Sequence, residues 1–162
     1  MTDVLQQDRP PFSAQDLGDG WLSWNLDDAT RFNALVEPLL VRKEAPTADG
    51  RGVARTRMFP KRIHSNLGNN VHGAVTLGLI DIALFAASHQ FGVLNVGPSV
   101  TLDLSTQFIG GGRIDEPLDA VTELVRETGR LVFLRGMVVQ GADDSHIVAT
   151  YAGTIRKATP RK

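Results

Sequence analysis

Residues 73–91 contain no proline and a single charged side chain, Asp81, in a run that is apolar on nearly every side. A helix with that pattern must be buried over most of its surface. At ~1.5 Å per residue it extends about 28 Å, and Gly92 follows it as a C-cap. Such a helix needs a sheet large enough to wrap it, and the rest of the chain supplies strands. Leu39–Glu44 and 53–59 flank the turn Asp49-Gly50-Arg51-Gly52 and read as a hairpin. After the helix, Leu102, Leu104, Thr106 and Phe108 alternate with polar residues until Gly110-Gly111-Gly112 breaks the strand. Leu118–Glu127, Leu131–Gln140 and 147–157 follow, separated by turn-forming residues at 128–130 and 141–144. Helices do not alternate with strands here, so a parallel α/β architecture is excluded. The expectation is an α+β fold in which an antiparallel sheet curves around one long central helix. A lone sheet of this kind leaves an edge strand open, which association of copies would close.

A chain of 162 residues fits one domain with a short arm. The expected division is an N-terminal extension over 1–35, packing on a core domain over 36–162. Within the extension, Pro10 and Pro11 mark an irregular lead-in, 21–26 alternates like a short strand, and 27–32 reads as a helix start, its acidic residues suiting the helix dipole. Trp21 and Trp24 are expected to pack the extension onto the sheet. With 17 basic and 18 acidic residues there is no cationic excess for nucleic acid or an anionic membrane surface. The absence of cysteine excludes disulfides, zinc–thiolate sites and a cysteine nucleophile. Residues 1–12 lack the features of a secretory leader, and the apolar run falls short of a membrane span, so a cytoplasmic location is expected. His64, His72, His89 and His146 show no metal-ligand spacing, and no metal or cofactor is expected.

Asp81 is the residue that points to chemistry. An ionised carboxylate amid Leu79, Ile80, Ile82 and Leu84 is costly unless it is paired or faces a cleft, and helix propensity does not call for it. At the helix start, His72-Gly73-Ala74 presents unpaired N–H groups at the positive end of the dipole, suited to polarising a carbonyl. Gly73 and Asp81 are eight residues apart, about 12 Å along the axis. One small reacting group cannot touch both, so if both act, the second comes from another copy of the chain.

The sequence His64-Ser65-Asn66-Leu67-Gly68-Asn69-Asn70-Val71-His72-Gly73-Ala74, followed by Leu79-Ile80-Asp81, resembles the hotdog-fold acyl-CoA thioesterases of the phenylacetate-pathway (PaaI-like) type. Asn66, His72 and Asp81 keep the family's spacing, and the likeness covers roughly residues 36–157. Ala74 stands where the family usually has a second glycine. The resemblance implies a hotdog fold and a set of roles. Gly73 N–H would bind the thioester oxygen, Asn66 would position the water or carbonyl, and His72 would orient the thioester. Asp81 of a second subunit would act as base or nucleophile, and Thr101, on the strand after the helix, would hold the water. The implied function is hydrolysis of an acyl-CoA by a homodimer or homotetramer, with coenzyme A present only as part of the substrate. Arg113 and Arg130 are candidates for its phosphates. The alternative is a non-catalytic acyl-CoA binding or sensing protein of the same fold.

Overall fold

The computed structural model describes residues 12–94 and 97–159; the reading of Pro10 and Pro11 lies outside them. The long apolar run forms helix α1 (Gly73–Gln90). His72 starts it from an extended conformation, its Nδ1 accepting the Ala74 N–H at 3.0 Å. Phe91 caps its end, and Gly92 then turns the chain at φ +70°. By length and a mean hydropathy of 1.2, α1 passes for a membrane span, yet half of it is buried inside the protein. Leu79, Ile80, Ile82, Ala83, Leu84, Ala86 and Ala87 are packed as core.

Strands β1 (Phe12–Ser13) and β3 (Asn25–Leu26) pair with each other. The main sheet takes β2 (Leu22–Ser23), β4 (Leu39–Glu44), β5 (Val53–Met58), β6 (Val100–Phe108), β7 (Leu118–Glu127), β8 (Leu131–Gln140) and β9 (His146–Arg156). Its seven strands run in the order β2-β4-β5-β7-β8-β9-β6, every neighbouring pair antiparallel. The strands that follow α1 thus lie beside the hairpin that precedes it, and the sheet wraps the helix as expected. Alternation explains the core: Ala54, Thr56 and Met58 of β5 point inward, whereas Arg55 and Arg57 face away.

Two local expectations change. No α-helix forms at 27–32; the chain makes only a 3₁₀ turn, Phe32–Leu35. The Asp28 carboxylate takes the Thr30 N–H, the Thr30 hydroxyl and the Arg31 Nε instead, a local turn that competes with helix, and Pro38 blocks extension beyond. In β6 the alternation is interrupted, because the register with β9 shifts between Thr101 and Asp103. Leu102 is the extra residue of this bulge and is exposed, not part of an inward face with Leu104.

Segment 21–35 is fastened to this body. Trp24 is buried in the core, and the Trp21 ring lies under the Arg42 and Arg57 guanidinium groups, 4.4 and 4.8 Å away. On the same outer surface Asp119 accepts hydrogen bonds from Arg55 Nη1 (2.8 Å), Arg57 Nε (2.7 Å) and Arg57 Nη2 (2.7 Å). Arg55 also grips Asp144, and that hydrogen bond holds the Asp144 carboxyl below the usual carboxylate range. The Asp119 side chain is only 7% exposed. Asp119→Ala takes from Arg57 its carboxylate partner and from Arg55 one of three, and is expected to cost about 3 kcal/mol, read as a lower midpoint in urea unfolding.

Candidate active site

Of the sequence-selected residues, Asp81 and Thr101 meet on the side of α1 that the sheet leaves uncovered, whereas Gly73, His72 and Asn66 lie at the helix start and in the loop before it. Leu77, Gly78, Asp81 and Phe85 are its incompletely buried residues between the first and last turns; their i+3/i+4 spacing makes them a single stripe, which the exposed Ala74 extends into the first turn. Asp81 sits in the middle of that stripe. The Thr101 hydroxyl donates to its Oδ1 at 2.6 Å. The β6 bulge makes this contact possible. Strict alternation would put Thr101 and Phe108 on opposite faces, yet Thr101 touches Asp81 while Phe108 lies against Gly73. The hydroxyl's proton is committed to the carboxylate, so its oxygen remains free to accept a hydrogen bond from a water.

At the helix start, the N–H of Gly73 has no hydrogen-bond partner among the described residues, whereas Val75 and Thr76 donate to the His72 carbonyl. The Phe108 ring comes so close that a Cβ at residue 73 would lie 3.3 Å from its Cζ. Phe108 is about half exposed and was not singled out from sequence; its place on the alternating strand 102–108 was the available signal.

Residues 65–71 present this helix end. Asn66 Oδ1 accepts the Gly68 N–H at 2.8 Å and the Asn70 N–H at 3.2 Å, which holds the loop and leaves the carboxamide NH₂ as the group able to meet a ligand. His72 spends Nδ1 on the helix cap, leaving Nε2. The Gly110-Gly111-Gly112 run supports the loop from behind: Val71 N–H donates to Gly112 at 2.7 Å, and a Cβ at Gly111 would lie 2.8 Å from the Asn70 side chain. Those glycines serve close backbone approach.

The two candidate phosphate-binding arginines are not brought together. Arg113 lies beside Asn70 near the helix start, its Nη1 on Glu116 at 2.7 Å. Arg130 occupies the turn at the other end of the β7–β8 hairpin.

Within the site, then, a carboxylate with its hydroxyl partner lies on the flank of a helix whose free amide end is about 12 Å away. Residues 68–145 match the family model of the thioesterase superfamily. Just under half of the chain is thus similar to that superfamily. The matched segment runs from the loop before α1, through Asp81 and Thr101, to the turn before β9, so it contains the candidate site except Asn66. Solved structures share the superfamily's hotdog fold. Zebra fish thioesterase superfamily member 2 aligns with TM-score 0.62 and 19% identity over 81% of this chain and 89% of its own. The PaaI protein of the Escherichia coli phenylacetic acid degradation operon gives 0.58 and 17% over 72% and 82%. A hypothetical thioesterase from Streptococcus pneumoniae, solved with coenzyme A, gives 0.57 and 20% over 75% and 88%. No curated protein matches the sequence.

Proposed function

We propose that this protein is a homo-oligomeric acyl-CoA thioesterase, hydrolysing its substrate to a free acid and coenzyme A at a site shared by two copies. The observation that carries the reading is the Thr101–Asp81 pair on the uncovered stripe of an otherwise apolar helix. In this reading Asp81 acts as base or nucleophile on the thioester carbonyl, and Thr101 positions the attacking water. The Gly73 N–H of the other copy receives the negative charge that develops on the carbonyl oxygen. The thiolate of coenzyme A leaves and takes up a proton. The Asn66 NH₂ is a donor for the carbonyl, and His72 Nε2 faces the same helix end. A thioester is electrophilic enough for one carboxylate and one oxyanion donor to suffice.

The sheet supports the shared site. Among the described residues, strand β6 has β9 on one side and no neighbour on the other, and its Val100, Leu102 and Phe108 are exposed. Pairing of two copies along this edge would cover those side chains next to Thr101. Wild-type protein is expected to release thiol from acyl-CoAs and to scatter light as two or more copies. Failure to hydrolyse any acyl-CoA in a broad panel rejects the activity, and a fully active monomer rejects the shared site.

A further inference from the structure

Two contacts fix how the N-terminal segment lies on α1, and a third ties it to His64 before the helix. The Trp24 ring stands 5.2 Å from the ring of His89. The Phe32 ring fills the space that a side chain at residue 78 would take, since a Cβ there would lie 2.9 Å from Phe32 Cζ. The Leu35 carbonyl meets Nε2 of His64 at 2.6 Å. His64 is buried, its Nδ1 accepts the Lys61 N–H at 2.8 Å, and its carbonyl accepts the His72 N–H. The segment is thereby tied to the residue that starts the catalytic helix.

Helix geometry then locates Phe32 relative to the chemistry. At about 100° per residue, Gly78 and His89 differ by only about 20°, so the segment follows one line along α1. From that line, Ala74 lies about 40° round the helix, Asp81 about 60°, Leu77 about 100° and Gly73 about 140°, all in the same rotational sense. Phe32 on Gly78 and Phe108 on Gly73 therefore flank a strip made of Ala74, Leu77 and Asp81. Phe32 is 58% exposed and Phe108 52%, so both keep apolar surface free beside the strip. Gly78 precedes Asp81 by three residues, about 4.5 Å along the axis, which sets Phe32 within a few bonds of a carbonyl held at Asp81.

We propose that Phe32 is a specificity-determining residue that walls the acyl side of the site and selects thioesters with a neutral, apolar acyl group. This rests on the thioesterase reading above. Acyl carbons beyond the carbonyl meet Phe32, Ala74 and Leu77. An acyl chain ending in a carboxylate would bring a second negative charge beside Asp81, with only apolar side chains on the strip to receive it.

The test compares kcat and KM for acetyl-, butyryl-, hexanoyl- and succinyl-CoA in wild type, Phe32→Ala and Phe32→Leu. The wild type is expected to favour butyryl- over succinyl-CoA. Phe32→Ala should lose about tenfold in kcat/KM for hexanoyl-CoA, chiefly through KM, and less than about twofold for acetyl-CoA. Phe32→Leu should restore most of the loss. Equal losses on acetyl- and hexanoyl-CoA, an unchanged profile, or a preference for succinyl-CoA would overturn the role of Phe32 while leaving the hydrolysis standing. A wild type inert toward all four, and toward a wider acyl-CoA panel, would instead overturn the activity itself. The side chain is more than half exposed, so both variants are expected to fold, which circular dichroism checks.

Discussion

Asp81→Ala is expected to lower kcat for acyl-CoA hydrolysis by at least ~100-fold, the lower end of what a positioned base contributes. The environment of the residue makes this variant informative. Asp81 lies on the uncovered stripe of α1, and its hydrogen-bond partner, Thr101, belongs to an edge strand. Alanine favours helix more than aspartate, so the fold should hold or gain slightly. Activity and stability are thus expected to part: a large fall in turnover with an unchanged or higher unfolding midpoint. Asp81→Asn sharpens the test, because a carboxamide oxygen still accepts the Thr101 hydroxyl but neither takes a proton nor attacks a carbonyl. An equal loss in both variants assigns the effect to the carboxylate's charge rather than to its shape. Retention of wild-type turnover in a folded Asp81→Ala protein would remove Asp81 from the mechanism. Thr101→Val should fall between these and the wild type, since it removes only the group that orients the water.

The parts of this molecule that were legible in its sequence are those governed by local periodicity. A proline-free apolar run between His72 and Gly92 can only be a buried helix, and β7 and β8 fall where the turn residues place them. The six-residue and nine-residue spacings from Asn66 to His72 and from His72 to Asp81 were legible only through the resemblance to the PaaI-like thioesterases, not from periodicity. What escaped was set by side-chain turns and by contacts between distant segments. Asp27 and Asp28 look like a helix start, but Asp28 closes a turn on Thr30, which no dipole argument weighs against. Thr101 reaches Asp81 only because one extra residue, Leu102, shifts the strand's register, and a bulge leaves little trace in hydropathy. Gly78 reads as an unremarkable small residue in a helix until Phe32, forty-six positions earlier, is seen to occupy its missing side chain. Arg113 and Arg130 looked equivalent as exposed cations near turns, and only the strand order puts them at opposite ends of the sheet.

Whether two copies share each site is testable without a structure of the assembly, because the helix start tolerates one incisive substitution. Gly73 is the first residue of α1, its N–H has no partner among the described residues, and His72 before it has φ −64° and ψ 138°. Proline is well suited to a first helical position, and its predecessor must be extended, as His72 already is. Gly73→Pro therefore deletes the oxyanion donor while sacrificing no hydrogen bond among the described residues; at its Cβ the nearest neighbour is the exposed Phe108 ring, 3.3 Å away. The expected loss in kcat is roughly 100- to 1,000-fold. Asp81→Ala removes the other half of the chemistry. If each site draws Asp81 from one copy and Gly73 from the other, a mixed pair of the two variants contains one site with both groups intact and one with neither. Unfolding and refolding the variants together in equal amounts should restore roughly a quarter of wild-type activity, since random pairing makes about half the dimers mixed and each carries one working site of two. If both groups act within a single chain, every site in the mixed pair lacks one of them, and the refolded mixture stays as inactive as its components.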